Sequence, residues 1–279
     1  MVTKHPKENK TRLAKKLGIS RGMLYYQHKR GIIDEEIKKK ILEVLQTHKA
    51  YGHKRVAPEL KLNKKRILRV MKKFGIKPYR RRKTPRKPLD EGKQPTQFPN
   101  LIETFCPIKP NVIWVGDFTW IYFNGAFYYL ATVMDLYTRE IIGWSFANHH
   151  TAQLVIEAFT DAVNKTGKTP VYFHCDQGSE YDSHEYINLM QIHQINLSMS
   201  RKSHPWENGF QESFYSNFKV ELGDPNRFID LGELVEAIAQ TIYYYNHDRI
   251  HTSLKMSPVQ FKQKSVLLNR EYLFKELGT

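Results

Sequence analysis

Cysteine is nearly absent from this 279-residue chain: only Cys106 and Cys175 occur. That excludes a disulfide framework and a cysteine-rich zinc site, and it fits a reducing cytoplasm. No run approaches the roughly 18 apolar residues of a membrane span. The first ten residues, MVTKHPKENK, are polar and carry no apolar core of a secretory signal. The histidines are numerous but lack the H-E-x-x-H or cysteine-paired spacing of common zinc sites. No repeat of 20–50 residues is visible. Acidic charge is scarce in one region only. Residues 1–90 hold 29 Lys and Arg against 7 Asp and Glu, while the remaining 189 hold 15 against 21. A strongly basic third joined to a mildly acidic remainder predicts a polyanion-binding region beside a separate machine.

The basic third reads as helices. Residues 11–29 have the pattern helix, turn, helix, with Leu13, Ala14 and Leu17 as an apolar stripe, Gly18 as a stop and Ser20 as a cap. The spacing is that of a helix-turn-helix, whose second helix enters the major groove. Residues 34–47 form an amphipathic segment with Ile37, Ile41, Val44 and Leu45 on one face. HKRVAPEL and LNKKRILRVMKKFGI follow as a further pair. In the latter, Asn63 is the expected cap and Gly75 the stop. Lys64, Lys65, Arg66 and Arg69 line the polar side as candidate DNA contacts. Arg80, Arg81 and Arg82 open a basic, proline-punctuated arm able to follow phosphates or a minor groove. The helical basic region is thus expected over 1–83. Six of the 13 prolines fall in 84–110, which reads as a linker.

From about residue 111 the texture becomes β-branched and aromatic. NVIWVGDFTWIYF and AFYYLATVMDLY are strand-like and joined by Asn124-Gly125, a hairpin signal. REIIGWSFA is a third strand. Helix 151–165, strand VYFHCD, helix 183–194 and strand INLSMS then alternate, followed by helices over 207–222 and 230–246. This pattern predicts an α/β fold: a mixed sheet flanked by helices, occupying 111–265 and followed by a tail, 266–279. Tyr243, Tyr244 and Tyr245 read as core packing.

Three carboxylates stand out. Asp117 interrupts a strand too apolar to favour a charge, which is costly unless paired or metal-bound. Asp176 ends a strand and precedes Gln177-Gly178, at the carboxyl end where ligands gather in such sheets. Glu212 lies on a helix, with 35 residues between it and Asp176. Such a set suits divalent cations, which take hard oxygen ligands and act on phosphodiesters. Lys219 lies two helical turns beyond Glu212, on the same face, where it could meet a phosphate. Arg201, Lys202 and Asn208 complete the candidate DNA contacts. Asp135 reads as a turn residue, Asp182 and Glu207 as loop residues, and His251 as a structural histidine or a DNA contact.

In their order WVGDFTW, HCDQGSEY, SRKSHPWENGFQESFYSNFK and YYYNHDRIHTSLKMSPVQF resemble the integrase core of bacterial insertion-sequence transposases, specifically OrfB of the IS-three family. YYQHK and KAYGHKRVAPEL resemble that family's N-terminal helical region. The resemblance implies an RNase H-like fold and a D, D(35)E triad falling on Asp117, Asp176 and Glu212, with the basic helix residue on Lys219. It also implies Mg²⁺ (Mn²⁺ as substitute), double-stranded DNA as partner, a homo-oligomer that synapses two ends, and an upstream OrfA product fused by frameshifting. Cys175, Glu180 and Glu207 depart from the family pattern of serine, glutamine and aspartate. Glu180 adds negative charge near the site. The rival expectations are a catalytically inactive or domesticated DNA-binding regulator, which needs only the basic region, and a nuclease that cuts without joining.

Overall fold

A computed structural model of the chain describes residues 9–24, 30–79, 98–201 and 208–277. It divides into two compact units. The first holds the residues up to 47 and 52–77; the second holds 48–51 and everything from 78 onward.

In the first unit, α1 (Lys10–Lys16) starts where the Asn9 side chain accepts from the Thr11 amide. Gly18, at φ 65°, takes the left-handed turn before α2 (Arg21–Leu24). Leu13, Ala14 and Leu24 bury together. Residues 25–29, where the second helix of the expected motif would continue, lie outside the described residues. α3 (Arg30–Thr47), α4 (His53–Glu59) and α5 (Lys64–Lys73) follow. Asn63 caps α5 by accepting from the Lys65 amide at 2.8 Å, as its sequence position predicts. α3 begins four residues earlier than its apolar periodicity indicates. Within it Asp34 is buried and bonds Arg69 at 2.5 and 2.9 Å and Lys73 at 2.8 Å from α5. These cations hold its carboxyl well below the usual carboxylate range.

The second unit is built on one five-stranded sheet. β1 (Ile113–Phe123), β2 (Ala126–Asp135) and β3 (Ile141–Ala147) form an antiparallel meander. Asn124 and Gly125 both have positive φ, as the tight turn between β1 and β2 requires. α6 (Ala152–Thr166), β4 (Tyr172–Cys175), α7 (His184–Ile192) and β5 (Asn196–Met199) follow, and β4 and β5 pair in parallel. The spatial order is β3-β2-β1-β4-β5. α8 (Gly209–Leu222), α9 (Leu231–His247) and α10 (Pro258–Leu277) complete it.

Period-2 alternation splits the core into two layers. Trp114, Ala131, Val133, Ile142 and Phe173 pack with α6 and α7 on one face. Ile113, Val115, Leu130 and Met134 pack with Phe214, Phe218, Leu234 and Ile238 of α8 and α9 on the other. β3 presses so closely on α6 that a Cβ on Gly143 would stand 2.3 Å from the Ala158 carbonyl oxygen and 2.5 Å from the Ala162 amide. Backbone cannot yield as a flexible side chain can. Gly143→Ala is therefore expected to cost about 3 kcal/mol, read as a fall in the denaturation midpoint. An unchanged midpoint would contradict this packing.

Two sequence expectations need correction. The stretch read as linker to residue 110 joins the core from Phe98 on. Pro99 accepts from the Met199 amide, Leu101 donates to the Ser198 hydroxyl, and Phe98 and Ile102 pack on the two core layers. Residues 266–277 are no tail but the continuation of α10, whose residues are mostly good helix formers. Of the tyrosine run, Tyr245 is buried as expected, whereas Tyr243 is exposed. The Tyr244 hydroxyl bonds His48 Nδ1 at 2.7 Å, while the Ile250 amide donates to the Tyr51 hydroxyl at 2.7 Å.

Candidate active site

The sheet itself brings Asp117 and Asp176 together. β1 and β4 run parallel with Val115 opposite His174. Two more steps in that register set Asp117 beside Asp176, the first residue past β4. Both lie on the pleat face of Val115 and Ile113, the face that α8 covers. Cys175 takes the opposite face by alternation and is fully buried, which pushes its thiol well up and leaves it protonated.

α8 is fastened to this end of the sheet by two side chains one turn apart. Gln211 Nε2 donates to the Val115 carbonyl at 2.7 Å, and the Tyr215 hydroxyl donates to the Asp117 carbonyl at 2.5 Å. Thr132 bonds both, at 3.1 and 2.8 Å. Glu212 follows Gln211 directly, in the first turn of α8, and is exposed. The clamp that fixes the backbone of Asp117 thus also fixes the base of Glu212.

Charge is concentrated here. Asp117 Oδ1 accepts its neighbour's amide, from Phe118 at 2.8 Å. Burial pushes its carboxyl well above the ordinary value. The negative charges of Asp176 and Glu212 push it further, against the Phe118 amide. Asp176 is raised by burial too, and then by Glu180, while the Gly178 amide at 3.0 Å opposes. Among the described residues no lysine or arginine forms an ion pair with any of the three. Nor do three His, Cys, Asp or Glu side chains already stand as a closed metal-ligand set among them. The arrangement is a close pair, Asp117 and Asp176, with Glu212 standing off on a helix anchored to the same strand.

Glu180 was legible only as an extra charge. It is 5% exposed, and its Oε1 lies 2.5 Å from Nδ1 of His150, whose ring stacks on Phe118. A Cβ on Gly178 would meet Glu180 Oε2 at 2.9 Å and Asp176 Oδ1 at 3.1 Å, so the two carboxylates flank that glycine. Sequence reasoning missed His150, 30 residues away, because no local pattern couples the two. Glu180→Gln removes a negative charge beside Asp176. The Asp176 carboxyl should then ionise at lower pH, and the acid limb of the activity profile should move to lower pH with it. A limb that stays in place, or moves up, would show that Glu180 does not act on the site.

The other candidates are scattered. Asp135 is structural, as expected: its oxygens accept from the amides of Asn111, Tyr137 and Thr138 and from the Thr138 hydroxyl. Lys219 Nζ sits 4.5 Å over the Trp120 ring. Arg201 is exposed and paired with Glu103 at 2.5 Å. Lys64 and Lys65 are exposed on α5 and Arg66 half-buried. Arg69 pairs with Asp34 through its guanidinium and keeps its side chain 49% exposed. Asn208 is 6% exposed at the start of α8. Arg80, Arg81, Arg82, Lys202 and Glu207 lie outside the described residues.

A mixed five-stranded sheet in this order, with helices on both faces and an acidic residue within the central strand beside another at the end of its parallel neighbour, defines the RNase H-like integrase-core class. Two family models described as integrase core domain match residues 107–205 and 193–258. The fold is also that of the integrase in a simian T-cell lymphotropic virus intasome in complex with the PP2A regulatory subunit B56 gamma. That likeness has a TM-score of 0.51 at 18% identity, over 80% of this chain and 74% of the other. A transposase for insertion sequence element IS904 of Lactococcus lactis is 33% identical over 251 residues, 85% of this chain and 96% of its own. Transposase InsF for insertion sequence IS3A of Escherichia coli is 31% identical over 229 residues, 77% of this chain and 78% of its own. The chain belongs to the insertion-sequence transposases with an integrase core, the family its motifs resemble.

Proposed function

We propose that Asp117, Asp176 and Glu212 are the catalytic carboxylates of this transposase, and that they free a 3′ end of the element and join it to target DNA with Mg²⁺, or Mn²⁺ in its place. The observation that carries this is the Asp117–Asp176 pair: two half-buried carboxylates side by side, raised by burial and by neighbouring acids, and with no cationic side chain paired to them among the described residues. Like charges so placed repel, and a divalent cation with oxygen preference is the partner that fits them. When bound, a pair of such ions supplies an activated hydroxyl nucleophile and stabilises the leaving oxygen of an in-line displacement.

The protein's share is placement. Asp117 is held on the central strand by the Gln211–Tyr215 clamp. Asp176 is held at the mouth of a loop whose Gln177 side chain donates to the Ser200 carbonyl at 2.9 Å. Glu212, exposed, closes on the pair from the solvent side, the side from which a sugar–phosphate backbone arrives. Lys219, two turns on, meets a phosphate beyond the scissile one. Lys64 and Lys65 give the first unit a surface for holding duplex DNA away from the chemistry. Synapsis of two ends calls for more than one copy of the chain, and an OrfA product joined by frameshifting would add a further recognition module. Among the described residues no helix is long and apolar enough to cross a membrane.

The test supplies the purified chain with Mg²⁺, a duplex ending in the terminal repeat of its own element, and a target duplex. Covalent joining of the 3′ end to the target is expected. Nicking without joining would make it a nuclease. Binding with neither reaction would make it a regulator.

A further inference from the structure

The β1–β2 hairpin carries three large aromatics that the core does not use. Trp120 is 50% exposed, Tyr122 44% and Phe127 52%. They stand on one face of the hairpin, Tyr122 directly opposite Phe127 and Trp120 one diagonal step away. Trp120 and Tyr122 also line a groove of about 290 Å³, with Lys219, Leu222, Pro225 and Asn226. Its cations are placed for an anion. Lys219 Nζ lies over the indole, and Arg227, whose guanidinium stacks on Phe228 outside the lining, comes within 3.7 Å of the Cβ position of Gly223 at the groove's edge. The one acid there, Asp224, is turned into its own loop, where it accepts from the Asn226 amide at 3.0 Å.

The groove has a fixed relation to the carboxylates. Trp120 is three residues beyond Asp117 on β1, about 10 Å at strand rise. Lys219 is seven residues beyond Glu212 on α8, again about 10 Å at helix rise. Two rigid elements leave the site together and arrive at one groove. Roughly three stacked nucleotides span that distance. An aromatic face covered by a flexible ammonium, which can swing off onto a phosphate, matches one unstacked base and its flanking phosphate. A paired duplex keeps its base faces covered and has nothing to lay on the indole.

We propose that this groove is a base-stacking subsite: it takes one unpaired nucleotide near the element's end onto Trp120, with Lys219 and Arg227 meeting the adjacent phosphate, and so holds the end frayed while the carboxylates act. This rests on the transposase reading, and two readouts keep the two apart. The first needs no activity. Single-stranded (dT)₈ should quench the tryptophan fluorescence of the wild-type protein, and Trp120→Phe should lose that component of the quench. The second compares joining of fully paired ends with ends already mismatched at the last two base pairs. Trp120→Ala should slow joining of paired ends about tenfold, and the mismatched ends should restore it, because fraying is then already done. The restored reaction also shows that the variant folds, and Trp120→Phe, which keeps a ring, should join paired ends nearly as well as wild type. The proposal is overturned if (dT)₈ leaves the Trp120 component unquenched. It is overturned equally if Trp120→Ala matches wild type on paired ends, or is slowed alike on both substrates. Equal slowing with a loss of self-association in sedimentation would assign the face to a second copy of the chain. If wild type joins nothing while (dT)₈ still quenches through Trp120, the catalytic reading fails and the subsite stands.

Discussion

Asp176→Asn is expected to lower end joining by about 10³-fold or more, while duplex binding in EDTA should stay within about twofold of wild type. The amide keeps the size of the carboxylate and can still accept from the Gly178 amide, the bond that shapes the loop. It loses the negative charge that a divalent cation needs. The first unit, with its exposed Lys64 and Lys65, is untouched, so binding should persist without chemistry. Gel shift and a strand-transfer assay on the same preparation separate the two. A variant that binds and still joins at a tenth of the wild-type rate would remove Asp176 from the catalytic set.

The second large effect concerns stability, and its sign runs opposite to that of most substitutions in a core. The Asp117 carboxyl is raised above its unfolded value by burial, then by Asp176 and Glu212. A carboxyl raised on folding contributes stability fully below the unfolded pKa of about 3.9, and that contribution is lost as pH rises through the raised folded value. At pH 7.5 without metal the folded protein therefore lacks that contribution and carries the cost of a carboxyl raised by burial and by its acidic neighbours. Asp117→Asn is expected to melt several degrees higher than wild type in EDTA at pH 7.5, and the gap should shrink as the pH is lowered. Adding Mg²⁺ should raise the wild-type melting temperature by selective binding to the folded state, and leave the variant almost unmoved. A variant that melts below wild type in EDTA, or one that Mg²⁺ stabilises equally, would contradict the assignment. Activity moves the other way, since the stabilised variant should not join DNA.

What the sequence made legible was whatever local chemistry or fixed spacing specifies. Asn63 before a basic amphipathic run is a cap because its oxygen needs only the amide two residues on. Asn124-Gly125 is a turn because both residues accept positive φ. Asp117 is conspicuous because a charge in an apolar strand demands a reason, and the parallel register of β1 and β4 supplies it by setting Asp176 alongside. What stayed hidden depends on residues distant in the chain. Arg69 reads as a phosphate contact, and nothing local shows that Asp34, 35 positions earlier, pairs with it. Glu180 reads as a stray charge until His150 is found against it. The proline-rich stretch reads as linker because proline frequency cannot show that Pro99 accepts from the far edge of the sheet. Trp120 reads as ordinary strand aromatic content, since period-2 alternation gives the face of a residue but not whether a helix covers that face.

Manganese anomalous diffraction from crystals of the chain with an end duplex tests the central claim most directly. The expected map has its strongest peaks bounded by carboxylate oxygens of Asp117, Asp176 and Glu212 and by a DNA phosphate. Strong peaks elsewhere, or Glu212 turned away from a metal held by the two aspartates alone, would contradict it.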